Sequence, residues 1–139
     1  MLAVEHGLLY GVEESVGIAS ASGAEGSTIA LLYDAMQAHR ALRDRMADLL
    51  DRWSVTPPAA ADAYTLPLTE HTTVGACQLA AAMEDRSGAS WLEAVGRTSD
   101  RTLRATAADA LAGSAVRAAK LRALVGTPLA QAAPSFPGR

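Results

Sequence analysis

A proline-bearing stretch near the middle of the chain constrains the fold more than any other feature. Residues 54–72, SVTPPAAADAYTLPLTEHT, hold three prolines and show no helical period. Proline fixes its own φ, lacks an amide proton and pushes the residue before it toward extended backbone. No helix crosses this stretch, which is expected to be extended and ordered mainly by docking. Two segments with helical periodicity lie on either side, so the connections run short, long, short. A helix of about 25 residues is roughly 37 Å long at 1.5 Å per residue, whereas about 17 extended residues reach beyond 50 Å. The stretch can therefore carry the chain back along a whole helix before the third begins, the connection required when two antiparallel helical hairpins are joined by a crossover.

The four segments follow from spacing and from stop signals. The first covers residues 2–20, with Leu2, Glu5, Leu9, Val12 and Val16 in line. SASGAEG ends it, and Ser22 and Glu25 have the spacing of a capping box for the second. The second starts near residue 23 or 27 and ends near 53, with Leu32, Ala35, His39, Leu42, Met46, Leu49 and Trp53 at steps of three and four. The third starts with Thr69 or Thr72 as N-cap and carries Val74, Cys77, Ala81, Glu84, Gly88, Trp91 and Val95. GRTSD stops it and caps the fourth, residues 100–125, whose stripe is Leu103, Ala107, Ala110, Ser114, Arg117, Leu121 and Leu124. The bundle is assigned to residues 1–126, and residues 127–139 are expected to form a tail or a strap over it.

Composition agrees with an all-α fold. Half of the 139 residues are hydrophobic, enough for one core of ordinary size, and alanine dominates while aromatics are 4%. Twelve Lys+Arg against 15 Asp+Glu leave a net charge of -3, so no field favours nucleic acid. No apolar run has the length of a membrane span and the N-terminus has no leader pattern, so a cytoplasmic location away from membranes is expected. The single cysteine, Cys77, has no partner for a disulfide or a Cys-x-x-Cys metal site and is expected to be a small buried side chain.

Five runs, VEHGLLYG, AHRALRDRM, TPPAAADAYTLP, AAMEDR and AVRAAKLR, together resemble an actinobacterial ferritin-like domain of unknown function. The resemblance covers almost the whole chain, and its specific parts are the linker and the His-Arg-x-x-Arg-Asp run. It implies a ferritin-like four-helix bundle and carries no established activity.

Each inward stripe is broken by an ionisable residue: Glu5, His39, Glu84 and Arg117. Folding the first two helices about a turn near residue 22 sets Glu5 opposite His39, and Glu84 falls within one or two turns of that level. A buried carboxylate needs a cation, a hydrogen-bond network, water or a metal. A ferritin-like di-iron site draws a Glu-x-x-His from each of two helices, and none occurs here. Arg117 moreover puts a permanent charge where a second metal would need a ligand.

Two readings follow. In the leading one Glu5, His39 and Glu84 form a core polar network with Arg117 and Tyr10, no cofactor is bound, and the bundle is a non-enzymatic structural or protein-interaction module. In the other, Glu5, His39 and Glu84 ligate one divalent transition metal, as in a metal-binding protein or oxidase with a reduced site. No nucleophile elbow or phosphate-binding loop points to a hydrolase or transferase. Shallow apolar strips at Leu31, Leu50 and Leu92 suggest a homodimer.

Overall fold

The computed structural model describes residues 1–133 and 137. Four long helices account for most of the chain: α1 (Leu2–Ala21), α2 (Gly26–Arg52), α3 (Thr73–Arg97) and α4 (Arg101–Leu124), followed by a single turn, α5 (Leu129–Ala132). Among the described residues there is no strand.

Local chemistry explains each boundary. Gly23 takes φ +70° after α1, and the amides of Gly23 and Ala24 reach back to the carbonyls of Ser20 and Ala19. This paired closure is the Schellman turn that glycine favours. It corrects the expected capping box. Ser22 is the C-cap of α1, its hydroxyl donates to the His71 carbonyl at 3.4 Å, and α2 begins after Glu25 without a side-chain cap. The same turn ends α2, with Ser54 and Val55 bonding back to Asp51 and Leu50, but Ser54 occupies the left-handed position at φ 56°. Thr72 caps α3 by accepting from the Gly75 amide, and Asp100 caps α4 by accepting from Leu103.

The extended segment fixes the topology. Its start lies against the beginning of α1, where the Pro58 carbonyl sits 3.1 Å from His6 Nε2. Further along, Tyr64 packs on Gly7 and Tyr10, and Leu66 on Gly11. Its end lies at the far end of α1, where His71 meets Ser22. The chain thus travels the length of α1 before α3 starts, so α3 runs antiparallel to α1 and in the same direction as α2. Gly7 and Gly11, one turn apart, form the groove: a Cβ on Gly11 would run into Met83 and Leu66.

α1 packs against α2 and α3, and α3 against α4, whereas α2 and α3 lie diagonally across the bundle. α2 and α4 are tied through Arg45, whose guanidinium donates to Thr106 at 2.7 Å. The stripes hold in the middle of the helices and fail at their ends. Trp53, Val74 and Leu124, expected inside, are exposed, because a helix end beyond its neighbours has nothing to pack on. Leu31, Leu50 and Leu92 are half-buried, the first two against the chain's own core.

Residues 127–133 turn back as α5 onto α4, with Ala132 buried and its carbonyl accepting from Arg122, which also pairs with Asp85. The rest of the expected tail or strap, residues 134–136, 138 and 139, lies outside the described residues.

Candidate functional site

The inward residues form two separate apolar clusters. The larger joins Leu8, Val12, Leu32, Met36, Leu79, Met83 and Leu121 with Leu9, Ile18 and smaller side chains, and the lesser consists of Leu2, Met46, Trp91, Ala107 and Ala110. The polar interruptions lie between them on every helix. Glu5 falls between Leu2 and Leu8, His39 between Met36 and Met46, Glu84 between Met83 and Trp91, and Arg117 between Ala110 and Leu121. One polar layer therefore crosses the bundle and splits its core.

Within the layer the groups form a chain. Glu5 Oε2 accepts from His39 Nδ1 at 2.8 Å, and Glu5 Oε1 accepts from the Trp91 indole at 3.1 Å. The other ring nitrogen, Nε2, faces Glu84 Oε1 at 3.5 Å. That distance is an ionic contact and not a hydrogen bond, so His39 Nε2 is a buried nitrogen without a hydrogen-bond acceptor. Arg117 grips Glu84 with both arms of its fork, Nε to Oε1 at 2.6 Å and Nη2 to Oε2 at 3.0 Å. The same Nη2 reaches Ser114 at 3.2 Å, and Ser114 donates to Ser87 at 2.9 Å.

Glu5 and His39 are fully buried, Glu84 nearly so, and Arg117 enters from the edge with its side chain 16% exposed. Burial alone drives the His39 imidazole toward its neutral form. Its hydrogen bond to Glu5 and the proximity of Glu84 outweigh this and raise its pKa from 6.5 to about 9. Burial likewise works against the Glu84 carboxylate, but His39 and Arg117 hold its pKa below the ordinary value. Both ring nitrogens face carboxylates, so His39 stands as an imidazolium and the sequence of charges across the bundle alternates.

Sequence spacing places Glu5, His39, Glu84 and Arg117 on the inward stripes, and the structure brings the four together. Tyr10, expected among them, is elsewhere: its ring packs on Tyr64 with centroids 5.4 Å apart. The physical reason is angular. Five residues separate Tyr10 from Glu5, about 140° around a helix, which turns the ring toward the crossover. Trp91 takes the place expected of Tyr10. Spacing put its side chain inside without identifying it as a donor to Glu5, although a buried indole N–H requires an acceptor. The Ser87–Ser114 bond was not anticipated. His6 holds the crossover, while His71 is exposed.

Glu5 and Glu84 lie on opposite nitrogens of one imidazole, and among the described residues no group of three or more His, Cys, Asp and Glu side chains is disposed to hold a metal ion. A di-iron centre does not fit these residues, because the carboxylate of Glu84 is occupied by a guanidinium and neither Glu-x-x-His pair has a counterpart. Toward solvent, the lesser cluster opens into a cleft of about 790 Å³ lined by both tryptophans, with Trp91 shared between cleft and polar layer.

The fold is similar to that in the crystal structure of a conserved hypothetical protein, rv2844, from Mycobacterium tuberculosis, with a TM-score of 0.79 and 34% sequence identity over 91% of this chain and 86% of that one. Among curated proteins, none matches the chain. Residues 1–139 match a domain of unknown function, DUF4439, over their whole length, and the chain belongs to that family.

Proposed function

We propose that this chain is a ferritin-like bundle whose inner polar positions form a metal-free ion network, and that it serves as a non-enzymatic structural or protein-interaction module. The observation that carries this reading is the bidentate hold of Arg117 on Glu84, which supplies a cation where a metal-binding bundle needs a free carboxylate. The helix order supports the ferritin-like assignment: two antiparallel hairpins, a crossover along α1, and α2 diagonal to α3. A cytoplasmic homodimer belongs to the same reading, and light scattering at high micromolar concentration tests the dimer.

One observation favours the second reading, a divalent metal held at the same place. His39 Nε2 is buried without an acceptor, and Glu5 on Nδ1 would orient the ring in the way second-shell carboxylates orient metal-bound histidines. Metal analysis of protein purified without a histidine tag decides between them. The expected result is no stoichiometric transition metal and a melting temperature unchanged by chelator. About one ion per chain that survives dialysis and is lost in both Glu5→Ala and His39→Ala would overturn the proposal.

A further inference from the structure

We infer that the pocket where the crossover meets α1 and α3 binds a small organic carboxylate through Arg86. None of the polar layer's residues lines this pocket, so the inference goes beyond the network reading and does not rest on it. The volume is about 410 Å³, within the roughly 300 to 1,000 Å³ common for ligand sites. α1 contributes apolar surface through Val4 and Leu8, and the crossover contributes Tyr64, Thr65 and Leu66. Arg86 of α3 is the one charged residue in the lining.

The crossover side of the pocket is already in place without a ligand. The Tyr64 ring rests on Gly7, where an added Cβ would lie 3.2 Å from a ring carbon, and packs on Tyr10 with centroids 5.4 Å apart. Its hydroxyl accepts from the Ala61 amide at 2.9 Å, which ties the ring to the chain just before it. From there burial alternates. Tyr64, Leu66 and Leu68 are half-buried while Thr65, Pro67 and Thr69 are exposed, the period of an extended strand. No backbone hydrogen bond joins Thr65 or Leu66 to another described residue, so their amides are left to solvent or to a bound acceptor.

Charge sets the ligand class. Arg86 is exposed and makes no ion pair among the described residues, and every acid on its own helix is taken: Glu84 by Arg117, Asp85 by Arg122 and Glu93 by Arg97. On α1, Glu5 is committed to His39 and Trp91, and Glu13 to Arg40. Glu14, Asp62 and Glu70 are exposed and lie outside the lining. The Met1 amine belongs to the neighbouring cleft, and its sign is the same as that of Arg86. A guanidinium left over beside apolar surface matches a carboxylate, which it can hold with two parallel hydrogen bonds. The carbon body of such a ligand would cover Val4 and Leu66, which a bare inorganic anion leaves wet, and a cation would be repelled.

The test follows the amide and indole NMR signals of the full chain as 4-phenylbutyrate, its uncharged amide and inorganic phosphate are added in separate titrations. 4-Phenylbutyrate should bind saturably, with shifts centred on Gly7, Leu8, Thr65 and Leu66, and about fivefold or more tightly than either the amide or phosphate. Raising the salt from about 50 to about 300 mM should weaken the carboxylate and leave the amide unchanged. Arg86→Gln replaces an exposed side chain and should bring the carboxylate down to the level of the amide, while Arg86→Lys should retain part of the preference. Arg101→Gln, at the exposed start of α4 and outside the lining, should change nothing. Equal binding of the carboxylate and its amide, phosphate binding as tightly as 4-phenylbutyrate, or an Arg86→Gln chain that keeps the preference would overturn the inference. So would a preference lost in Arg101→Gln, or shifts centred instead on the indoles of Trp53 and Trp91.

Discussion

The two apolar clusters on either side of the polar layer differ in size and in closure. The larger draws from three helices at full depth, takes one leucine from the fourth, and includes Val12, Leu32 and Leu121 with no exposure at all. The lesser has five buried residues, two of them alanines, and opens into the cleft. Both are made by the same helices and the same stripe spacing. What differs is what covers them. The larger is roofed by the crossover, whose Leu66 and Leu68 pack onto it, and is approached by Val125 beyond the end of α4. The lesser has no such roof. A core divided by charges therefore need not be two equal halves: here one half holds the fold together and the other is left accessible.

The layer between them is the first place to break this comparison. His39→Leu leaves Glu5 and Glu84 buried without the cation between them, and stability should fall by about 4 kcal/mol in urea unfolding, the cost typical of an orphaned buried charge. If the loss is under about 1 kcal/mol, water reaches the layer and the clusters are not separated by it. Equal truncations on the two sides come next. Leu79→Ala in the closed cluster should cost about 3 kcal/mol, and Leu2→Ala beside the cleft about half of that, because the second enlarges a space already open to solvent. Equal costs would mean that the lesser cluster is as tightly packed as the larger.

Titration gives a comparable effect. The folded pKa of His39, about 9, lies above its ordinary 6.5, so its contribution is fully present below pH 6.5 and is lost as pH rises through 9. The two values place this loss at about 3 kcal/mol. Melting temperature should fall over that window in the native chain and stay flatter in His39→Gln. Glu84 acts in the opposite sense. Its folded pKa is lowered, so its contribution is present above the ordinary carboxylate range and disappears as pH drops through the depressed value. The smallest expected change is at the rim: Ser54→Gly removes the left-handed penalty and should stabilise by up to about 1 kcal/mol while loosening the hold on Trp53. A destabilised Ser54→Gly would show that the serine side chain, and not the turn, matters there.

Much of this was legible in the sequence for a definite reason. Helical periodicity is a local property, and a stripe broken by Glu5, His39, Glu84 or Arg117 is visible because buried charge is costly wherever it occurs. Prolines 57, 58 and 67 likewise act on their own backbone, so the extended crossover needed no knowledge of its neighbours. What spacing does not encode is direction around the helix at the contact and reach beyond its end. Tyr10 and Trp91 were both available to Glu5, and only the assembled bundle turned one onto Tyr64 and the other onto the carboxylate. Trp53 continued the α2 stripe by number, yet lies past the point where α2 has a neighbour. The amino-acid sequence by itself determined four helices, their break and the four polar positions on their inward stripes. The tertiary structure decided which charges touch, that they divide the core, and that one division stays open, because those outcomes depend on where the ends of separate helices meet in space.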